Sequence, residues 1–390
     1  MRIVHVITRL ILGGAQENTL LTVEGQQRLK DCKVKLVAGP PEGPEGDLLR
    51  RARANGVDLV LMPDLCRELS PWQDWKALRA LRRMFREERP DVVHTHSSKA
   101  GVIGRLAARK EGVPAIVHTI HGLPFHAYQS KLAHAFYVWA ERRAARWCDR
   151  ILCVANAMTD QAVAAGVAPR EMFKTVYSGM EVDPFVSDLG ARGRVRRELG
   201  LGDDDIVVGK IARLYHLKGH EDVLRAGAGL AKEIPNLKFL FLHGGILKDQ
   251  LAKLAEELGL GGRVVFGGIV DPARIPEMYE AMDLVVHASF REGLARVLPQ
   301  ALLSGVPVVS YDVDGAKEVV IPGETGWLVA PGDIEGLGRA MAEALRDLPR
   351  ARDMALEGRR RFADQFRAET MVREITQVYR EVLAAKQGAA

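Results

Sequence analysis

No apolar run in this sequence approaches the roughly 20 residues that a membrane-spanning helix requires. Cysteine is scarce, and the four present, Cys32, Cys66, Cys148 and Cys153, lack metal-ligand or redox spacing. They read as buried or free thiols of a reducing cytoplasm. The opening stretch Arg2–Ile7 is too short for a signal peptide and reads as a first strand. Dense basic clusters with interleaved aromatics are missing, which argues against a nucleic-acid partner. What remains is ordinary for a soluble globular protein, with 47% hydrophobic and 27% charged residues. At 390 residues the chain is too long for one comfortable core, so two domains are expected.

The net charge of +5 is unevenly placed: residues 1–190 carry 27 Lys/Arg against 21 Asp/Glu, and residues 191–390 carry 28 against 29. The basic excess of the first half suits an anionic membrane surface or a phosphorylated acceptor. That half alternates strands and helices. Strands are expected at 3–7, 34–37, 59–62, 92–94, 116–119, 151–154 and 175–177, with helical segments such as 74–86 between them. This is the doubly wound α/β pattern. Residues 193–205 are charged and Gly-containing, as a hinge would be. The pattern then restarts with strands at 206–211, 239–242, 264–269 and 283–287, and helices 334–345 and 370–383 close the chain. Met371, Ile375, Val378, Tyr379 and Val382 form one stripe on the last helix, so it must dock on something.

The most informative stretch runs from Ser289 to Val309. A strand ends at His287, and the apolar positions Leu294, Val297, Leu298, Ala301 and Leu302 then recur at helical spacing before Gly305. In such a unit the helix N-terminus offers free N–H groups at the carboxyl edge of a parallel sheet, where ligands bind. Glu292 lies at the mouth of the expected helix and Gln300 eight residues on, roughly 12 Å along a continuous helix axis. That spacing suits a long ligand such as a nucleotide-sugar, although the residues alone leave open a dipole-favouring Glu292 and a solvated Gln300. Elsewhere, Gly13 and Gly14 open a helix after the first strand, and Arg213 and Lys218 flank a loop that leads into another, a plausible diphosphate site. His94-Thr95-His96 reads as a polar sheet-edge loop. His121 sits just past the end of another strand, before Gly122. The segment 131–150 mixes Phe136, Tyr137, Trp139 and Trp147 with Lys131, Arg142, Arg143, Arg146 and Arg150. It reads either as an interfacial helix or as core aromatics with a solvated basic face, and the run Arg79, Arg82, Arg83, Arg86, Arg89 is similarly ambiguous.

These motifs resemble those of the retaining glycosyltransferases of family four. The signature of that family, Glu, seven residues, Glu and a Gly-Val/Ile-Pro-Val-Val strand, is matched by Glu292 to Gln300 and Gly305-Val306-Pro307-Val308-Val309, with Gln300 in place of the second acid. Arg213-Leu214 through Lys218-Gly219 is similar to the family's Arg-Leu-x-x-x-Lys-Gly. Tyr177 to Phe185 resembles the segment that closes the first domain. His243-Gly244-Gly245 stands where the family commonly has Gly-x-Gly.

The resemblance implies two facing Rossmann-like domains (GT-B) with the active site in the cleft between them. The domains are expected at 1–190 and 191–368, with residues 369–390 returning to the first. It implies transfer of a sugar from a UDP- or GDP-linked nucleotide-diphospho-sugar to an acceptor hydroxyl with retention, in cell-surface polysaccharide or glycolipid synthesis. It assigns His121, Glu292, Arg213 and Lys218 to catalysis. Gly13, Gly14, Gly268, Ile269, Leu294, Ala295, Arg296, Val297 and Gln300 join Arg213, Lys218 and Glu292 in donor binding. No cofactor and no metal are expected, since Asp312-Val313-Asp314 falls in a turn where the family binds none. The expected partners are the donor, a glycan or lipid-linked acceptor, and an anionic inner membrane face. The expected location is cytoplasmic or peripheral on that face. Two alternatives stand: a nucleotide-sugar-binding protein with weak catalysis, suggested by Gln300, and a nucleotide-sugar epimerase of the same plan, which would need acid–base carboxylates.

Overall fold

The computed structural model describes residues 1–40, 48–68 and 70–388. The chain forms two compact units, residues 1–180 with 366–390 and residues 181–365.

The first unit is built on a seven-stranded sheet. Its strands are β1 (Arg2–Ile7), β2 (Lys33–Ala38), β3 (Asp58–Leu61), β4 (Val92–His96), β5 (Ala115–Ile120), β6 (Arg150–Cys153) and β7 (Phe173–Thr175), in the order β3-β2-β1-β4-β5-β6-β7. All pairs are parallel. A parallel sheet is covered on both faces, which explains the largely apolar runs of β1 and β5. The order reverses between β1 and β4, the crevice where doubly wound sheets bind ligands. The closing helix Ala368–Gln387 packs in this unit, with Met371, Ile375, Val378, Tyr379 and Val382 in one core with Ile3, Ile7 and Leu36.

The second unit repeats the plan with six parallel strands: β8 (Ile206–Ile211), β9 (Leu237–Leu242), β10 (Val264–Gly268), β11 (Leu284–His287), β12 (Val308–Tyr311) and β13 (Trp327–Val329), in the order β10-β9-β8-β11-β12-β13. Its core gathers Val208, Phe239, Phe241, Leu284, Val286, Val309, Leu337 and Met341. Its reversal falls between β8 and β11.

Asp283 anchors this unit from beneath β11. It accepts from Val207 N–H at 2.9 Å and from Arg196 at 2.8 Å, Arg192 at 2.7 Å and Arg352 at 3.2 Å. These contacts overturn the hinge expected at 193–205. That stretch contains the helix Arg192–Glu198, whose wholly buried Arg196 also donates to Ala281, Gly202, Asp203 and Asp205 carbonyls. For the same reason the chain divides after residue 180 rather than at 190. Leu189 and Ala191 N–H groups both donate to Glu280, each at 2.6 Å, which ties residues 181–191 to the second unit. The return falls at 366 rather than 369, where Met180 N–H donates to the Phe366 carbonyl at 2.8 Å. With these boundaries the charge asymmetry sharpens. The first unit carries 31 Lys/Arg against 21 Asp/Glu and the second 24 against 29.

Candidate active site

Lys218 and Glu292, two of the predicted donor residues, meet where β8 and β11 end. The loop after β8 carries Arg213 and Lys218. Gly219 follows with φ 66°, and a Cβ there would lie 1.8 Å from the Ala288 carbonyl oxygen. Only glycine lets this loop press against the end of β11. Phe290 N–H donates to the Leu217 carbonyl at 2.9 Å and joins the two loops. As a result Lys218 Nζ donates to Glu292 Oε1 at 2.5 Å, and His287 Nε2 stands 3.5 Å from the same oxygen. Burial alone would raise the Glu292 pKa. Lys218 and His287 more than reverse this and hold the carboxyl well below the usual carboxylate range. Arg213 is exposed and lies over the Tyr215 ring, 5.3 Å from its centroid.

The helix expected over 294–302 is shorter. It spans Val297–Leu303, and Glu292 lies before it in a bent segment. The bend is held from outside. Glu292 N–H donates to Asp314 Oδ2 at 2.7 Å, and Gly315 N–H donates to the Gly293 carbonyl at 3.0 Å. A 12 Å separation of Glu292 and Gln300 along one axis therefore does not hold. The N–H groups of Leu294, Ala295 and Val297 form no hydrogen bond with protein among the described residues. They are donors available at the carboxyl edge of the sheet. Gln300 is half-buried, and its Oε1 accepts from the Tyr279 hydroxyl at 3.2 Å.

Gly268 ends β10 with φ 70°, and its carbonyl accepts from His243 N–H at 2.6 Å. Ile269 is exposed and lies over Gly244. His243 itself has φ 102°, a strained value of the kind that gathers at functional sites.

Several groups at this edge escaped the sequence reading. Lys210 on β8 is wholly buried, and its Nζ has no hydrogen-bond partner. Burial, aided by Lys218, lowers its pKa to about 7. His220 and His287 are buried at this edge as well, and the buried Ser289 hydroxyl has no hydrogen-bond partner among the described residues. A lysine inside the apolar run Ile-Val-Val-Gly-Lys-Ile was the available signal for the first of these.

His121, Gly13 and Gly14 belong to the first unit. Gly13 precedes the helix Gly14–Gln27 in the loop after β1, and half-buried His121 follows β5. His94 and His96 correct the expectation of a polar loop. Both lie within β4, fully buried, because their ring nitrogens find partners inside the unit. The helix Lys131–Ala145 also departs from the core-aromatic alternative: Phe136 is 50% and Trp139 61% exposed.

Residues 191–361 match the sequence model of the glycosyl transferases group 1, and residues 13–174 match that of the glycosyl transferase 4-like domain. A D-inositol 3-phosphate glycosyltransferase of Acidothermus cellulolyticus is 31% identical over 77% of this chain and 69% of its own length. The chain belongs to the group 1 glycosyltransferases of family four. A UDP-Gal:alpha-D-GlcNAc-diphosphoundecaprenol alpha-1,3-galactosyltransferase of Escherichia coli is 27% identical over 89% of this chain and 88% of its own. The structure of Anabaena Alr3699/HepE in complex with UDP-glucose superposes with a TM-score of 0.83, at 22% identity, over 98% of this chain and 100% of that one. Such neighbours support the GT-B plan of two Rossmann-like domains.

Proposed function

We propose that this glycosyltransferase moves a sugar from a nucleotide-diphospho-sugar, UDP-linked by preference, to a hydroxyl of a lipid-linked or polysaccharide acceptor, with retention and without a metal. The Lys218–Glu292 pair at the sheet reversal is the observation that carries this reading. An ammonium has three donors. One reaches Glu292 at 2.5 Å, which leaves two for a diphosphate. Arg213 and the N–H groups of Leu294, Ala295, Arg296 and Val297 would complete the neutralisation of the leaving charge, the role a metal plays elsewhere. Glu292, held ionised, would accept from donor sugar hydroxyls. Gly268 and Ile269 would hold the base. His121 would hydrogen-bond a sugar hydroxyl. Same-face attack follows, with the leaving phosphate taking the acceptor proton. The Escherichia coli relative takes UDP-Gal by name, and solved neighbours hold UDP and UDP-glucose.

The acceptor class is supported by the diphosphoundecaprenol in the name of that relative and by one face of the first unit. The helices Pro71–Glu88 and Lys131–Ala145 both pack on the helix Ser98–Lys110. They expose Trp72, Trp75, Lys76 and Arg79 on one, and Leu132, Phe136, Trp139 and Arg143 on the other. Exposed aromatics beside cations suit the interface of an anionic membrane.

The test is transfer from a panel of nucleotide-sugars to a polyprenyl-diphosphate-linked sugar, presented in anionic or neutral vesicles. The expected product keeps the donor's anomeric configuration by NMR, forms at an unchanged rate with chelator, and forms faster on anionic vesicles at low salt. Loss of activity with EDTA, restored by Mg²⁺ or Mn²⁺, would sink the metal-free mechanism. Binding without transfer to any acceptor would favour the binding-protein alternative.

Gln300 yields a separate expectation. Its oxygen shares the one Tyr279 hydroxyl hydrogen with the Val297 carbonyl, each at 3.2 Å, while its NH₂ is wholly left for a ribose hydroxyl. A carboxylate can accept a hydrogen bond from the Tyr279 hydroxyl and still offer further acceptors, with stronger hydrogen bonds. Gln300→Glu should tighten UDP binding by about 1 kcal/mol and leave the chemical step similar. Calorimetry showing equal or weaker binding would remove Gln300 from the ribose site.

A further inference from the structure

Three imidazoles of the first unit form one unbroken hydrogen-bonded chain. His5 Nδ1 on β1 lies 3.0 Å from His96 Nε2 on β4, and His96 Nδ1 lies 3.1 Å from His121 Nε2. At the inner end, His5 Nε2 is 2.8 Å from Gln26 Oε1. Burial holds all three rings neutral near pH 7. It takes His5 and His121 down to about 4 and His96 well below the ordinary value.

A neutral imidazole carries one N–H and one lone pair. In a chain of such rings each choice dictates the next, so only two arrangements satisfy every contact, with all protons directed one way or all the other. Gln26 selects between them. Its NH₂ lies 3.3 Å from Thr376 Oγ1, and its side chain also hydrogen-bonds the Tyr379 hydroxyl. The amide nitrogen thus donates to Thr376, on the side away from His5. The amide oxygen is left for His5. Then His5 Nε2–H donates to Gln26, His96 Nε2–H donates to His5 Nδ1, and His121 Nε2–H donates to His96 Nδ1. His121 Nδ1 keeps its lone pair and has no hydrogen-bond partner among the described residues.

Nitrogens of His5, His94 and His96 lie within 4.8 Å of one another, a spacing that could suit a metal ion. Each of these nitrogens already has a protein partner of complementary kind, His94 Nε2 meeting Thr119 Oγ1 at 2.7 Å. The site is therefore satisfied as a relay.

We infer that Gln26, His5 and His96 are positioning residues that fix the tautomer of His121, so that His121 meets a substrate hydroxyl as an acceptor through Nδ1 rather than as a donor. This rests on the sugar contact proposed above for His121. Two further observations favour a built device over chance burial. The chain crosses three separate segments, β1, β4 and the loop after β5, and it ends on the one ring that is not fully buried.

Histidine-selective ¹⁵N labelling of the full-length, unliganded enzyme tests this directly. Long-range ¹H–¹⁵N spectra should show His121 protonated at Nε2 and bare at Nδ1. His96→Phe cuts the chain, and both His121 tautomers should then appear. In that variant kcat should fall on the order of tenfold, while KM for the donor changes less. A wild-type His121 protonated at Nδ1 overturns the inference, as does an unchanged tautomer in His96→Phe. Should that variant fail to fold, the wild-type spectrum still decides. Neither spectrum requires turnover, so a wrong reading of the donor site would show in transfer assays and leave the spectra as expected.

Discussion

Lys218→Met is expected to slow transfer by about two to three orders of magnitude, the usual cost of losing a group that stabilises a leaving charge. Methionine keeps the buried stem and removes only the ammonium. The loss acts twice. It removes a cation from the proposed diphosphate site, and it leaves Glu292, 21% exposed, without its 2.5 Å partner. Burial is already the largest influence on the Glu292 pKa, and Lys218 is the largest influence opposing it. With the lysine gone, the carboxyl pKa should rise. If ionised Glu292 accepts from the sugar, the acid limb of the residual pH–rate profile moves to higher pH. The same sign governs stability. A depressed folded-state pKa contributes stability above the unfolded value, and this is lost as pH falls through the folded one. Lys218→Met should therefore lose that contribution. Adding Glu292→Gln to Lys218→Met removes the uncompensated carboxylate, so the double variant should be more stable than Lys218→Met and no more active. Arg213→Ala should act in the same direction as Lys218→Met on turnover. Single-turnover rates near wild type in Lys218→Met would place the diphosphate elsewhere.

Local signals in the sequence pick out these residues because loop chemistry is local. Arg213 and Lys218 flank a short loop after an apolar strand, Gly219 marks where the backbone must come close, and Glu292 follows the next strand end. Strand runs of a parallel sheet are similarly legible, since burial on both faces leaves continuous apolar segments. What escaped the sequence depends on partners far along the chain. The helix of the signature segment starts late because Asp314, 22 residues on, captures Glu292 N–H. Helical spacing at Leu294 could not reveal that competitor. His94 and His96 looked like loop polar groups because their partners, His5, Thr119, His121 and Tyr379, come from β1, from β5 and the loop after it, and from the closing helix. The stretch 193–205 looked like a hinge because charge and glycine are also what a solvated linker shows. What makes it a buried anchor includes Asp283, 87 residues from Arg196, which local sequence does not show.

The second large effect concerns Lys210. Its Nζ is wholly buried and unpartnered, and its pKa is pushed down from 10.5 to about 7, first by burial and then by Lys218. A lysine whose folded pKa is lowered destabilises the fold. Between about pH 7 and 10.5 the unfolded chain holds one more proton at this position than the folded chain, so stability rises with pH across that window. At about 1.36 kcal/mol per pH unit, the penalty near neutrality is roughly 3–5 kcal/mol. Lys210→Met fills the same space without an amine to desolvate. It should be more stable than wild type by roughly that amount at pH 7, and the advantage should shrink toward zero by about pH 10.5. Denaturant unfolding of both proteins across this range measures the difference. An advantage independent of pH would show that the gain comes from packing and not from the charge. Equal stability at pH 7 would mean that Nζ is solvated and bears no penalty. If the gain is found, the cost of keeping an amine there needs an offset, and its position offers one. Lys210 is coupled electrostatically to Lys218, Glu292 and Asp222 at the edge where the leaving diphosphate is proposed to develop charge. An anion arriving there would favour the protonated amine and lift its pKa. The stabilised Lys210→Met should then bind UDP more weakly than wild type, with the deficit largest at and below about pH 7, where wild-type Lys210 is already protonated, and shrinking at higher pH, where it must first take up a proton to pair with the anion. Unchanged UDP affinity in a stabilised Lys210→Met would mean that the buried amine carries its cost with no return at this site.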